Sequence, residues 1–291
     1  MSQGYGFDRR RVNGPEWSTP PMYEDTGTPK AKLTKRVGRS PKDIRPIFIT
    51  TGLISQANGS AYIETERLKI ACAVYGPRQN KNQPYNEKGK LNVEVKFAPF
   101  ASARRRAPMR DVEDRPTSVQ IHQSLLPSLR LELFPKSTID VFITILEADG
   151  DAACVASGSV AASAALADAG IEMLGLVAAC SSCVFAPISD PSQENRMQED
   201  APIDEDWGQI WMDPNAEESA RASSVLVMAG MPALGTVTHV RQTGAMSIAQ
   251  ASACLDICLQ QCAAIHTVVS KALLDSARAR ESKDSGTPKL V

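Results

Sequence analysis

The sequence predicts an α+β fold built from two sheet-and-helix halves, and three observations point to it. Runs dense in β-branched residues recur along the chain, among them STIDVFITILE and SSVLVMAG. Between these two runs, Asp151 to Ala169 is rich in Ala, Ser and Gly and apolar on nearly every side, as a buried helix is. A long helical repeat follows the last strand-like run. With 43% hydrophobic residues, the chain can bury a real core.

Residues 1–42 are expected to form a basic tail. They mix Gly, Pro, Ser, Thr and charge with almost no periodic apolar positions, too little to offset the entropy of ordering. Up to Arg45, ten basic residues face five acidic ones, a net +5. Order is expected over residues 43–281. IRPIFITTGLISQANGSAYIETERLKIACAVYGP holds two or three apolar-rich runs with the turn signal Asn58-Gly59, a strand meander. After a polar loop from Arg78 to Lys90, LNVEVKFAPF alternates as a strand with one buried face and pairs back onto the sheet.

Pro116 and Thr117 suit a helix start, and Val119, Leu126, Leu129 and Leu133 follow near helical spacing, with a kink or break expected at Pro127. Ile139, Val141, Ile143 and Ile145 share one face of a central strand. After the small-residue helix, LGLVAACSSCVFA returns as a strand, and an acidic segment runs from Asp190 to Asp206. QIWMDP, SSVLVMAG and ALGTVTHVRQTG predict three more strands. From Met246 towards Arg280, the row Ile248, Leu255, Cys258, Cys262, Ile265, Val269 and Leu273 predicts a helix with one core face. Residues 282–291 are expected to be a C-terminal tail, and no internal repeat is visible.

A net charge of -1 and a sequence pI near 6.3 exclude an overall drive toward nucleic acid, so such contacts must come from local patches. Seven cysteines, the lack of a signal-peptide core and the lack of an uninterrupted apolar run of about 18 residues predict an intracellular, reduced chain with no membrane partner. Cys180 and Cys183 form a C-x-x-C without a second pair, so they are expected in the core rather than on zinc. The same holds for Cys254, Cys258 and Cys262. The cluster Arg104, Arg105, Arg106, Arg110 and Arg115 is the candidate for RNA phosphate contact, with pairing to Asp111, Glu113 and Asp114 as the alternative. EADGD, from Glu147 to Asp151, joins a strand end and a glycine turn to a helix N-terminus, which suits an anion, yet carboxylates flank Gly150.

From about Asp43 to Ala279 the chain resembles the RNase PH family of phosphorolytic exoribonuclease domains. The likeness rests on TTGLISQANGSAYIETERLKIACAVYGP, DRPTSVQIHQSLLPSL, TIDVFITILEADGD, ALADAGIEM and MDPNAEES, in the family's order. Within the family, DRRRVNGP and PKSTIDVF look most like a ring subunit of the exosome. The resemblance implies an RNase PH-like domain in two sheet-and-helix halves. Active members hold inorganic phosphate through a Gly, Thr, Arg run that here reads Asp151, Ala152, Ala153. Each charge-assisted bond so lost is worth about 1.5–3 kcal/mol. Of the family's paired arginines at DRPTS, only Arg115 matches. Its two metal-holding acids, six residues apart, correspond to Glu218 and Ser224, and one acid is missing.

The resemblance therefore implies no catalytic residues, no metal and no cofactor. It implies a non-catalytic structural subunit of an exosome ring in RNA processing and degradation, partnered by other RNase PH-like subunits, RNA-binding cap subunits and RNA. The implied location is nucleus, nucleolus and cytoplasm. The alternative is an active phosphate-dependent 3'-5' exoribonuclease.

Overall fold

The computed structural model describes residues 36, 39–79, 85–102, 105, 114–185 and 210–284. Strands β1 (Ile47–Thr51), β2 (Gly59–Thr65), β3 (Leu68–Gln79) and β4 (Lys90–Phe97) come first, then helix α1 (Arg115–Leu125) and strand β5 (Ser137–Glu147). These strands form one sheet in the order β1-β2-β3-β5-β4. Neighbours pair antiparallel except β4 and β5, which run parallel because α1 carries the chain back between them. Ile139, Val141, Ile143 and Ile145 are buried on one face of β5, which is paired on both sides as its β-branched content demands.

Helix α2 (Asp151–Asp168) leads into β6 (Ala178–Val184), β7 (Ile210–Met212), the short helix α3 (Ala216–Arg221), β8 (Ser224–Met231), β9 (Thr236–Gly244) and helix α4 (Ile248–Asp284). The second sheet, β7-β6-β8-β9, is wholly antiparallel. The expected α+β class with two sheet-and-helix halves is what the chain adopts. α2 packs on β2 and β3 of one sheet and on β6 and β8 of the other, so the two share a core.

Small residues make that arrangement possible. A Cβ on Gly59 would lie 2.3 Å from the Ala169 nitrogen and 2.4 Å from the Ala165 oxygen, so β2 meets the end of α2 backbone to backbone. Across α1 and α2, Ser124 Oγ donates to Ser159 Oγ at 3.0 Å, both buried. α1 differs from the expected apolar face. Thr117, Ser118, Ile121, Ser124 and Leu125 are buried; of the predicted row Leu129 is buried as expected, while Val119, Leu126 and Leu133 are exposed. Ser124 meets Ser159 of α2 and Ile121 lies over Gly158, while Ser118 Oγ donates to the Val93 carbonyl of β4 at 2.8 Å, so small residues permit close approach on both sides of α1. Leu126–Ser128 is a 3-10 turn, the break expected at Pro127.

On α4 the core row holds from Cys254 through Cys258, Cys262 and Ile265 to Val269, but Ile248 is 91% exposed and lies outside it. By length and hydropathy α4 could cross a bilayer. Its buried row instead lies in the core shared with β6 and β8. The expected boundary at Asp43 also shifts, because Arg36 is buried and the Pro41 carbonyl accepts from Met212 N at 2.8 Å. Buried carboxylates of the domain need these cations, and that outweighs the tail's poverty in apolar residues. α4 runs on to Asp284, three residues into the tail expected over 282–291, and the acidic segment 190–206 and residues 285–291 lie outside the described residues.

Candidate functional site

The turn at the start of α2 answers why an anion cradle should be lined with acids. Gly150, at φ 89°, caps α2, and its Cα faces the first residue of α3, Ala216. Asp149, 6% exposed, is turned toward Arg45 and the start of α3. Its Oδ1 accepts from the Ala216 amide at 3.0 Å, and its Oδ2 accepts from Arg45 Nη1 in a short contact. A carboxylate of the chain itself thus takes up the free amide at the start of α3.

Two more carboxylates join it. Asp213 accepts from Arg45 Nε at 2.8 Å on Oδ2 and from Arg45 Nη2 at 2.6 Å on Oδ1. Asn215 and Glu218 form a capping box on α3, each side chain accepting from the other's backbone amide. Glu218 also accepts from Arg36 Nε and Nη2, both at 2.9 Å, and the Arg36 guanidinium lies 5.6 Å from the Trp211 ring centroid. Arg39 Nη2 donates to the Asp213 carbonyl at 2.6 Å and to Glu218 Oε2 at 3.5 Å. Three arginines thus face three carboxylates.

The electrostatics follow. Burial pulls the Arg45 pKa down, but the hydrogen bonds and charge of Asp213, then of Asp149, outweigh it, and the guanidinium ends above its ordinary range. Burial pushes Asp213 up, and Arg45 more than reverses that, leaving the carboxyl below the usual range. For Glu218, burial raises the pKa, while the Arg36 hydrogen bonds, the Asn215 amide and both arginine charges bring it below. Arg39 is lowered, first by burial and then by Arg36.

Asp151, Ala152 and Ala153 form the first turn of α2, with Asp151 exposed and Ala153 buried. Glu218 is tied to Arg36, and Ser224 is the buried first residue of β8, its hydroxyl without a hydrogen-bond partner among the described residues. Arg105 is exposed. Arg115, exposed at the start of α1, lines an open groove of about 540 Å³ with Asn92, Glu94, His122, Asp140 and Phe142. Arg104, Arg106 and Arg110 lie outside the described residues. Cys180 and Cys183 are buried, and no cluster of three His, Cys, Asp or Glu side chains suited to a metal exists among the described residues. The sequence drew attention to Asp149 as an acid flanking Gly150, but did not pair it with Arg45, and it did not single out Arg36, Arg39 or Asp213 as site residues. The available signal was that an acid beside a capping glycine in a folded domain must find a cation.

A two-sheet domain wrapped around a small-residue helix is the class that the geometry defines, and the comparisons give it a family. Residues 43–172 match the RNase_PH family, the 3' exoribonuclease family, domain 1. The chain is 36% identical over 269 residues to the exosome complex component mtr3 of Schizosaccharomyces pombe, spanning 92% of this chain and 96% of that protein. The crystal structure of rice (Oryza sativa) Rrp46 superposes with a TM-score of 0.66 at 21% identity, covering 81% of this chain and 98% of that one. An Archaeoglobus fulgidus exosome with RNA bound to the active site gives 0.63 at 17%, covering 80% and 93%. The chain belongs to the RNase PH family. The likeness of DRRRVNGP and PKSTIDVF, to the exosome subunit type called mRNA transport regulator three, agrees with the fission-yeast relative.

Proposed function

We propose that the chain is a non-catalytic structural subunit of an RNA exosome ring, acting in RNA processing and degradation. The observation that carries this reading is at the start of α2. Residues 151–153 there offer an exposed carboxylate and two alanines, while Arg36, Arg39 and Arg45 are committed to Asp149, Asp213 and Glu218. Inorganic phosphate meets repulsion from Asp151 in place of a charge-assisted bond. Glu218 lacks an acidic companion at Ser224 and already carries a counter-cation, so a divalent metal gains little there.

Ring partners follow from the relatives' names and from the surface. β9 is an outer strand of its sheet with Val237 and Val240 exposed, and α4 presents Leu259, Val268 and Leu274 outward. Unpaired strand edges and apolar side chains of this kind are association sites. The partners in this reading are other RNase PH-like subunits, RNA-binding cap subunits and RNA. RNA would be contacted through Arg104, Arg105, Arg106, Arg110 and Arg115, and the location is nucleus, nucleolus and cytoplasm.

The test is phosphorolysis by the purified chain with magnesium, phosphate and single-stranded RNA. No nucleoside diphosphate above a mock preparation is expected, and its release would restore the active-exoribonuclease reading.

A further inference from the structure

All seven cysteines are buried and free, and three of them converge between β6 and α4. Cys180 lies on β6, and Cys258 and Cys262 lie one turn apart on the buried face of α4. The sulfurs of Cys262 and Cys180 are 3.5 Å apart. Cys180 Sγ donates to the Cys258 carbonyl at 3.4 Å, and Cys262 Sγ to the Ala178 carbonyl at 3.6 Å, so both thiols are held in place from both elements. Their grouping is not one suited to a metal ion.

We propose that Cys180 and Cys262 form a disulfide under a peroxide-class oxidant, stapling α4 to the second sheet. A disulfide needs the sulfurs at about 2.05 Å, so the 3.5 Å contact has to close by about 1.5 Å. In the closed fold the Cys258 and Cys262 sulfurs and burial keep the Cys180 thiol protonated, so a thiolate forms when α4 opens locally; it attacks the peroxide O–O bond, giving a sulfenic acid and hydroxide, which takes up the released proton as water. The second thiol displaces the sulfenic oxygen, which leaves as a second water, and the S–S bond forms. Two electrons pass from the sulfur pair to the peroxide oxygens. Access comes from local opening of α4, whose outer face is already in solvent. The pair lies 82 residues apart in sequence, so the bond closes a long loop and constrains the unfolded chain strongly.

The experiment exposes the reduced full chain to hydrogen peroxide, alkylates the remaining thiols and maps peptides by mass under non-reducing conditions. A peptide linked through Cys180 and Cys262 is expected, with Tm raised by about 5 °C and restored by dithiothreitol. Cys262→Ser and Cys180→Ser should each abolish the link and the rise. If either variant fails to fold, the map of the unmodified chain still decides. Seven alkylated thiols after peroxide, or a link through any other pair, overturns the proposal.

Discussion

Arg36 clamps Glu218 through two hydrogen bonds of 2.9 Å, from Nε to Oε1 and from Nη2 to Oε2, across 182 residues of sequence. Arg36 belongs by composition to a basic, apolar-poor segment, and Glu218 stands where the family resemblance would look for a metal ligand. Their pairing ties the start of the described chain to α3 and satisfies a carboxylate that is 7% exposed.

Arg36→Met should therefore destabilise the folded chain by about 3 kcal/mol, since removing one partner strands a buried charge. Urea unfolding of the variant against the parent measures it. Arg39 and the Asn215 amide keep part of the compensation, so a loss above about 5 kcal/mol is not expected.

Stability should fall on the acid side through the same group. Glu218 has a folded-state pKa below its unfolded value, so its contribution is complete above the unfolded carboxyl range, about pH 4, and drains away as pH drops through the lower folded value. Asp213 acts in the same sense. Glu218→Gln should lower stability at pH 7 and flatten its decline between about pH 5 and pH 3, read from thermal unfolding across that range.

The strands were legible because β-branched alternation survives burial on one face, and all of those expected within the described residues are present. α1 was legible as a helix but not in orientation. The row Val119, Leu126, Leu129 and Leu133 predicted a core face, but of these Leu129 alone is buried, while Ser124 and Ser159 carry the close helix contact and Ser118 bonds the Val93 carbonyl of β4. The charge network was the least legible part. Its members are scattered from Arg36 to Glu218 and meet only when the fold brings the ends of α2 and α3 together.

Gly59→Ala should cost about 3 kcal/mol, because the new methyl meets backbone atoms of Ala165 and Ala169 that cannot step aside. Gly158→Ala should cost less, since its methyl meets only the Cδ1 end of Ile121, 2.8 Å away, which can rotate. Denaturation midpoints of the two variants give the comparison, and equal losses would contradict it.

Replacing Arg104, Arg105 and Arg106 by Glu should weaken RNA binding by the assembled complex and reduce the magnitude of its log–log salt slope by about 2, as fewer counterions are released. Filter binding or anisotropy across a salt series reads this. An unchanged slope removes these arginines from the RNA path.

The most direct test of the structural role is native mass spectrometry of the complex that this chain forms in its own cells, giving both total mass and composition. The account predicts the chain in a ring-sized assembly with other RNase PH-like subunits, each obligate contact burying upward of about 2,000 Å². A monodisperse monomer without RNase PH-like companions would contradict it.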